Sequence, residues 1–146
     1  MVDHTDLYAT LRETAGMEPR PEGPGVSYLP VLESPEESSA ISWRSYQFCE
    51  YGNARMIRTN DGFKLIRRYP GPNGHFQDEL YNLQIDPRER QNFIADPEYA
   101  SLVNQLDDEM DSFFDKFECS DCSGRNITRL RSFNSIEPVS YTHLRA

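Results

Sequence analysis

Between Asp96 and Phe117 the apolar residues fall on one stripe. Tyr99, Leu102, Val103, Leu106, Met110, Phe113, Phe114 and Phe117 recur at steps of three and four. Such spacing places them on a single side of an α-helix. Asp107, Asp108, Glu109 and Asp111 occupy the remaining faces and read as a solvated surface. Asp96 is a good N-cap, and Pro97 suits the first helical position. A helix this one-sided is stable only against another apolar layer, so the rest of the chain is constrained to supply one.

The preceding segment supplies it. Ser45 to Tyr51 alternates aromatic and polar residues, and Arg55–Arg58 and Phe63–Tyr69 form two further short runs. Thr59-Asn60-Asp61-Gly62 separates the latter two, and Asn, Asp and Gly tolerate the positive φ of a tight hairpin. Strand alternation sends Leu65 and Arg67 one way, Lys64 and Ile66 the other. After a Gly- and Pro-rich loop, Pro70 to Gly74, comes a fourth run, Glu79 to Leu83. Four runs joined by short turns predict an antiparallel sheet. The expected fold is therefore α+β: a four-stranded antiparallel sheet packed against one long C-terminal helix, preceded by a short helix and an extended connector.

The short helix lies within Val2–Gly16, where Leu7, Tyr8 and Leu11 fall near one face and Gly16 marks the stop. The connector is rich in Pro, Gly, Ser and Glu and holds Pro19, Pro21, Pro24, Pro30 and Pro35. Proline continues neither a helix interior nor a sheet ladder, so this stretch is expected to be extended. Its apolar knot, Tyr28-Leu29-Pro30-Val31-Leu32, is suited to docking on a neighbour.

Charge narrows the partners. Of 146 residues 37% are hydrophobic, and the formal net charge is -9. Phosphate binding needs clustered Lys and Arg, so neither nucleic acid nor an anionic membrane is an expected partner. No apolar run approaches the ~20 residues that span a bilayer, and Met1-Val2-Asp3-His4 does not open like a signal peptide. Of three cysteines, Cys49 reads as a buried strand thiol, while Cys119 and Cys122 form a CxxC pair. No second CxxC or His pair is present to complete a zinc site, so no metal is expected in this chain.

Several segments in order resemble the C-terminal region of the sulfatase family, within the alkaline-phosphatase-like superfamily. Asp6-Leu7-Tyr8-Ala9-Thr10-Leu11, ending in Ala15-Gly16, is similar to that family's D-L-Y-P-T-L…A-G piece, with Ala9 in place of Pro. Tyr28-Leu29-Pro30-Val31-Leu32 resembles its S-L-L-P-L-L piece. Arg55-Met56-Ile57-Arg58 and Phe63-Lys64-Leu65-Ile66 resemble R-M-V-R…Y-K-L-I. Glu79-Leu80-Tyr81-Asn82-Leu83, Asp86-Pro87-Arg88-Glu89 and Asn92 resemble E-L-Y-D-L…D-P-x-E…N-L. The resemblance covers about residues 2 to 118. Asp86-Pro87 also reads as a turn start, with Glu89 placed to accept backbone N–H bonds.

The resemblance implies sulfate ester cleavage by a formylglycine made from a C/S-x-P/A-x-R motif, with calcium on the sulfate oxygens. No such motif follows Cys49, Cys119 or Cys122, Asp107-Asp108 reads as helix surface, and Asp3-His4 is misplaced for a metal site. Catalytic residues in this chain are therefore expected to be none, with formylglycine and calcium belonging to a missing N-terminal catalytic domain. That domain and a sulfated small molecule or glycan are the implied partners, and export to the periplasm or outside the cell is the implied location. Two rivals stay open: the C-terminal part of a phosphodiester or phosphonate hydrolase, and a non-catalytic carbohydrate-binding module.

Two places suit substrate contact. One is Glu50-Tyr51-Gly52-Asn53 with Arg55, where a strand ends in polar groups (Glu50, Asn53, Arg55) around Gly52; Arg55 equally suits a surface ion pair. The other is His75, at the end of a loop stiffened by Pro70 and Pro72. The expected divisions are 1–17 as a terminal helix of the catalytic domain, 18–44 as connector, 45–118 as the sheet-and-helix subdomain and 119–138 as an irregular tail. Residues 139–146, Val-Ser-Tyr-Thr-His-Leu-Arg-Ala, match one reading frame of a transposase adapter used in sequencing libraries, and are expected to be adapter read-through at a contig end.

Overall fold

The computed structural model describes residues 2–18, 23–35, 44–71, 74–119 and 123–126. The proposed adapter tail and Cys122 lie outside them. Four strands, β1 (Tyr46–Tyr51), β2 (Ala54–Thr59), β3 (Phe63–Arg68) and β4 (Glu79–Asn82), form one sheet in the order β1-β2-β3-β4. Every pairing is antiparallel, with Phe48 opposite Ile57, Ile57 opposite Leu65, and Leu65 opposite Leu80. The two-residue β1–β2 turn and the three-residue β2–β3 turn are too short for a parallel crossover and force antiparallel neighbours; the longer loop before β4 returns the chain to pair beside β3. Gly52 and Gly62 adopt φ of +58° and +94° in the first two turns, a region other residues rarely enter.

Asp96 caps as expected, accepting from the Glu98 N–H at 3.0 Å. Pro97–Tyr99 forms a 3₁₀ turn that runs into α3 (Ala100–Phe117). The stripe then does what its spacing requires. Leu106, Met110 and Phe114 bury against Ile57, Leu65, Leu80 and Phe93, and Phe48 stacks on Phe113 with centroids 3.9 Å apart. Each such side chain contributes about 1.5–3 kcal/mol when fully buried, so this single layer contact is the core of the fold.

Leu65 and Arg67 do face α3: Leu65 is buried and Arg67 donates to Asp107 and Asp78. Asp107 is thus ion-paired with the sheet, not simply solvated as the helix pattern implied. Cys49 corrects another expectation. It is an exposed free thiol, because alternation from Phe48 carries it away from α3 at the edge of the sheet. At the Asp86 turn the roles are also exchanged. Asp86 accepts the Arg90 and Gln91 N–H groups, while Glu89, at φ +54°, receives Lys64 Nζ at 2.8 Å.

The N-terminal helix, α1 (His4–Thr14), is closed by a capping box in which Asp3 and Asp6 each bond the other's end of the turn. Its polarity is inverted. Asp6 is fully buried, accepting from the Asp3 N–H at 2.7 Å, from the Val26 N–H at 2.8 Å and from Arg44. Thr10 takes the Tyr28 N–H at 3.0 Å. Leu7 and Leu11, by contrast, are 47% and 59% exposed. The connector is not wholly extended either: Leu29–Glu33 is a short helix, α2, with Pro30 in its first turn, where a missing N–H does no harm.

Candidate functional site

The two candidate places come together at one end of the sheet. The β1–β2 turn, Gly52-Asn53, and the chain leaving β3 are laced to each other. Tyr69 N–H donates to the Asn53 carbonyl at 2.8 Å, and the Asn53 side-chain amide bonds the Tyr69 carbonyl. A Cβ on Gly71 would lie 2.7 Å from Asn53 Nδ2 and would push that side-chain amide off the Tyr69 carbonyl. His75 joins the same end: its Nε2 lies 2.7 Å from the Arg68 carbonyl, and its ring is otherwise exposed.

Arg55 is not at the surface. Its side chain is 0% exposed, so the surface ion pair anticipated from the sequence is a buried one. Nε donates to Glu50 at 2.8 Å, and Nη2 donates to Glu118 and to Ser123 Oγ, the latter at 3.1 Å. The guanidinium lies over the Phe114 ring at 4.1 Å, a favourable place for a cation. Burial alone would make the guanidinium easier to deprotonate, but its bonds to Glu50 and Glu118 outweigh that and hold it more firmly charged. Burial likewise pushes the Glu118 carboxyl up, and the bonds from Arg55 and Ser123 bring it net below its ordinary 4.5. Arg55 and Glu50 therefore face each other and the protein, whereas His75 and Tyr51, the last residue of β1, face solvent.

Glu118, Ser123, Gly124, Arg125 and Tyr69 belong to this cluster and were not singled out from the sequence. One local signal did exist. Glu118 is an acid at the C-cap of α3, where the helix dipole disfavours negative charge, so it needed a cation from elsewhere. Arg125 supplies a second tie, pairing with Asp111 and lying 5.3 Å from the Tyr69 ring centroid.

The donor sets here do not fit calcium. Among the described residues no group of three or more His, Cys, Asp or Glu side chains is arranged to hold a metal ion. The carboxylates at this end are taken by Arg55 and Arg125. What the arrangement offers chemically is an ion-paired support built on Arg55 and Arg125, with exposed His75 and Tyr51.

The four-stranded meander under one long helix is an arrangement shared with solved proteins that include a phosphonate monoester hydrolase. The family of the N-sulphoglucosamine sulphohydrolase C-terminal region matches residues 1–116, and the chain belongs to that family. An N-acetylglucosamine-6-O-sulfatase of Bacteroides thetaiotaomicron is 32% identical over 111 residues, covering 70% of this chain and 19% of its own. A Delta 4,5-hexuronate-2-O-sulfatase of the same organism is 30% identical over 67% of this chain and 20% of its own. The chain thus spans about a fifth of the length of these curated relatives. A solved structure in complex with its substrate D-glucosamine-2-N,6-O-disulfate superposes with a TM-score of 0.61 and 29% identity, over 80% of this chain and 24% of that one. The phosphonate monoester hydrolase of Agrobacterium radiobacter shares the fold at a TM-score of 0.59 and 24% identity, over 77% of this chain and 24% of its own.

Proposed function

We propose that this chain is the C-terminal subdomain of a sulfuric ester hydrolase acting on a sulfated sugar, inactive by itself. The observation that carries this is the match to sulfatases through residues 1–116. Two relatives named for sulfated sugars support the substrate class. On this reading α1 seats its exposed Leu7, Tyr8 and Leu11 on the catalytic domain, and the loop end carrying His75 borders the substrate. Calcium and formylglycine then belong to the catalytic domain. This chain supplies support and specificity but breaks no bond.

The test uses the chain alone and the chain joined to its native upstream catalytic portion, each with calcium, on an aryl sulfate and a sulfated amino sugar. Turnover is expected only from the joined protein. His75→Ala should weaken turnover of the sulfated sugar and spare the aryl sulfate. Hydrolysis by the chain alone that survives replacement of all three cysteines would overturn the proposal. Equal loss on both substrates would remove His75 from it.

A further inference from the structure

The segment Ser123–Asn126 lies beyond the family match, yet it is built into the loop end. Ser123 and Gly124 are buried. The Gly124 N–H donates to Glu50 Oε1 at 3.1 Å, the same oxygen that receives Arg55 Nε. A Cβ on Gly124 would lie 2.0 Å from the Gly52 carbonyl oxygen. Only glycine lets the two backbones close to this distance, so the segment and the β1–β2 turn interlock main chain to main chain. Arg125 completes the grip from the far side through Asp111 on α3 and the Tyr69 ring, and the Tyr69 N–H in turn holds Asn53.

We infer that Arg55 is a positioning residue which, with Ser123–Asn126 as its clamp, fixes the β1–β2 turn and presents Tyr51 as a sugar contact. Arg55 itself is fully enclosed, with bonds to Glu50, Glu118 and Ser123 and the Phe114 ring against it. Its Nη1 carries no hydrogen bond but is shut off from solvent, so the guanidinium has no exposed edge with which to touch a ligand. Tyr51, one residue past Glu50, is 88% exposed. An aromatic ring offers an apolar face to the C–H side of a sugar, and a rigid turn spares the entropy of ordering it on binding. The functional half of this inference rests on the reading above; the mechanical half stands without it.

Amide hydrogen exchange on the full chain tests the clamp. Gly124→Ala should accelerate exchange at residues 51–55 about tenfold or more while Leu106–Phe114 is unchanged, because only a local opening is released. Unchanged exchange at 51–55 would overturn the clamp. In the joined enzyme, Tyr51→Ala and Gly124→Ala should each raise KM for the sulfated amino sugar about fivefold, with kcat on the aryl sulfate within about twofold. Arg55→Lys should restore part of what Arg55→Met loses. Faster exchange with KM unmoved would reject Tyr51 as the contact and leave the clamp standing. Tyr51→Ala alters an exposed side chain, so its result does not hinge on folding. A joined enzyme inactive on the aryl sulfate would count against the sulfatase reading instead.

Discussion

Arg55, the second residue of β2, donates to Glu118, the first residue past α3, so one largely buried ion pair ties the sheet to the end of the helix packed on it. Arg55→Met removes the cation that Glu50 and Glu118 share and should cost about 3–5 kcal/mol. Glu118 is partly exposed and its loss leaves Arg55 still bonded to Glu50, so Glu118→Gln should cost only about 1–3 kcal/mol; urea unfolding of the two variants checks the order, and equal losses would count against it.

The same pair sets an acid limit. The Glu118 carboxyl is held below 4.5 in the folded chain, so its contribution to stability is complete above that pH. It is lost as pH falls through the depressed folded value. The melting temperature of the wild-type chain should therefore drop more steeply between pH 5 and pH 3 (about the glutamate range) than that of Glu118→Gln. Parallel curves would show that the bond contributes nothing.

Tyr81 and Glu79 give an alkaline counterpart. The Glu79 carboxylate accepts the Tyr81 hydroxyl at 2.7 Å, and this bond, reinforced by burial, pushes the phenol up to about 12. A raised folded value means stability fully present below the usual tyrosine range and lost as pH climbs from there through the folded value of about 12. Ultraviolet titration should show a tyrosine that ionises late, and Glu79→Gln should move that step to lower pH. A titration unaltered by that substitution would dissolve the link.

On α1 the polar face should matter more than the apolar one. Asp6→Ala removes an acceptor of two backbone N–H groups and Arg44; the expected loss is about 3 kcal/mol. Leu11→Ser should change stability by less than about 0.5 kcal/mol, since an exposed side chain has little burial to lose. Urea unfolding of both variants decides, and a larger effect at Leu11 would mean that its face is covered in solution.

The clamp also fixes where the chain can be shortened. A fragment 45–126 keeps Glu118, Ser123 and Gly124, whereas 45–117 strands Arg55 with Glu50 alone. The longer fragment should melt higher. Equal melting temperatures would mean that residues 118–126 add no stability.

These cases also mark what was legible in the sequence. The α3 stripe and the Asn60-Asp61-Gly62 hairpin were readable because periodicity and turn chemistry are local. The antiparallel character of the sheet followed from the short turns between runs. The burial of Arg55 was not readable, since its partners Glu118 and Ser123 lie far along the chain and no local spacing announces them. Alternation could have placed Cys49, because Phe48 next to it had to face the helix. For α1 the stripe announced an apolar face but not what would cover it, and the buried carboxylate of Asp6 answers to residues in the connector.

The inverted helix bears on how this module could be moved between enzymes. A graft that carries α1 imports Leu7 and Leu11 in search of a seat, and a host without a matching depression would hold soluble aggregates instead of a chimaera. A graft cut between Glu33 and Tyr46 leaves that demand behind and keeps the meander, α3 and the Arg55 hub intact. The recombination point that preserves the greater part of the fold is therefore in the connector, downstream of the first helix that belongs to the family.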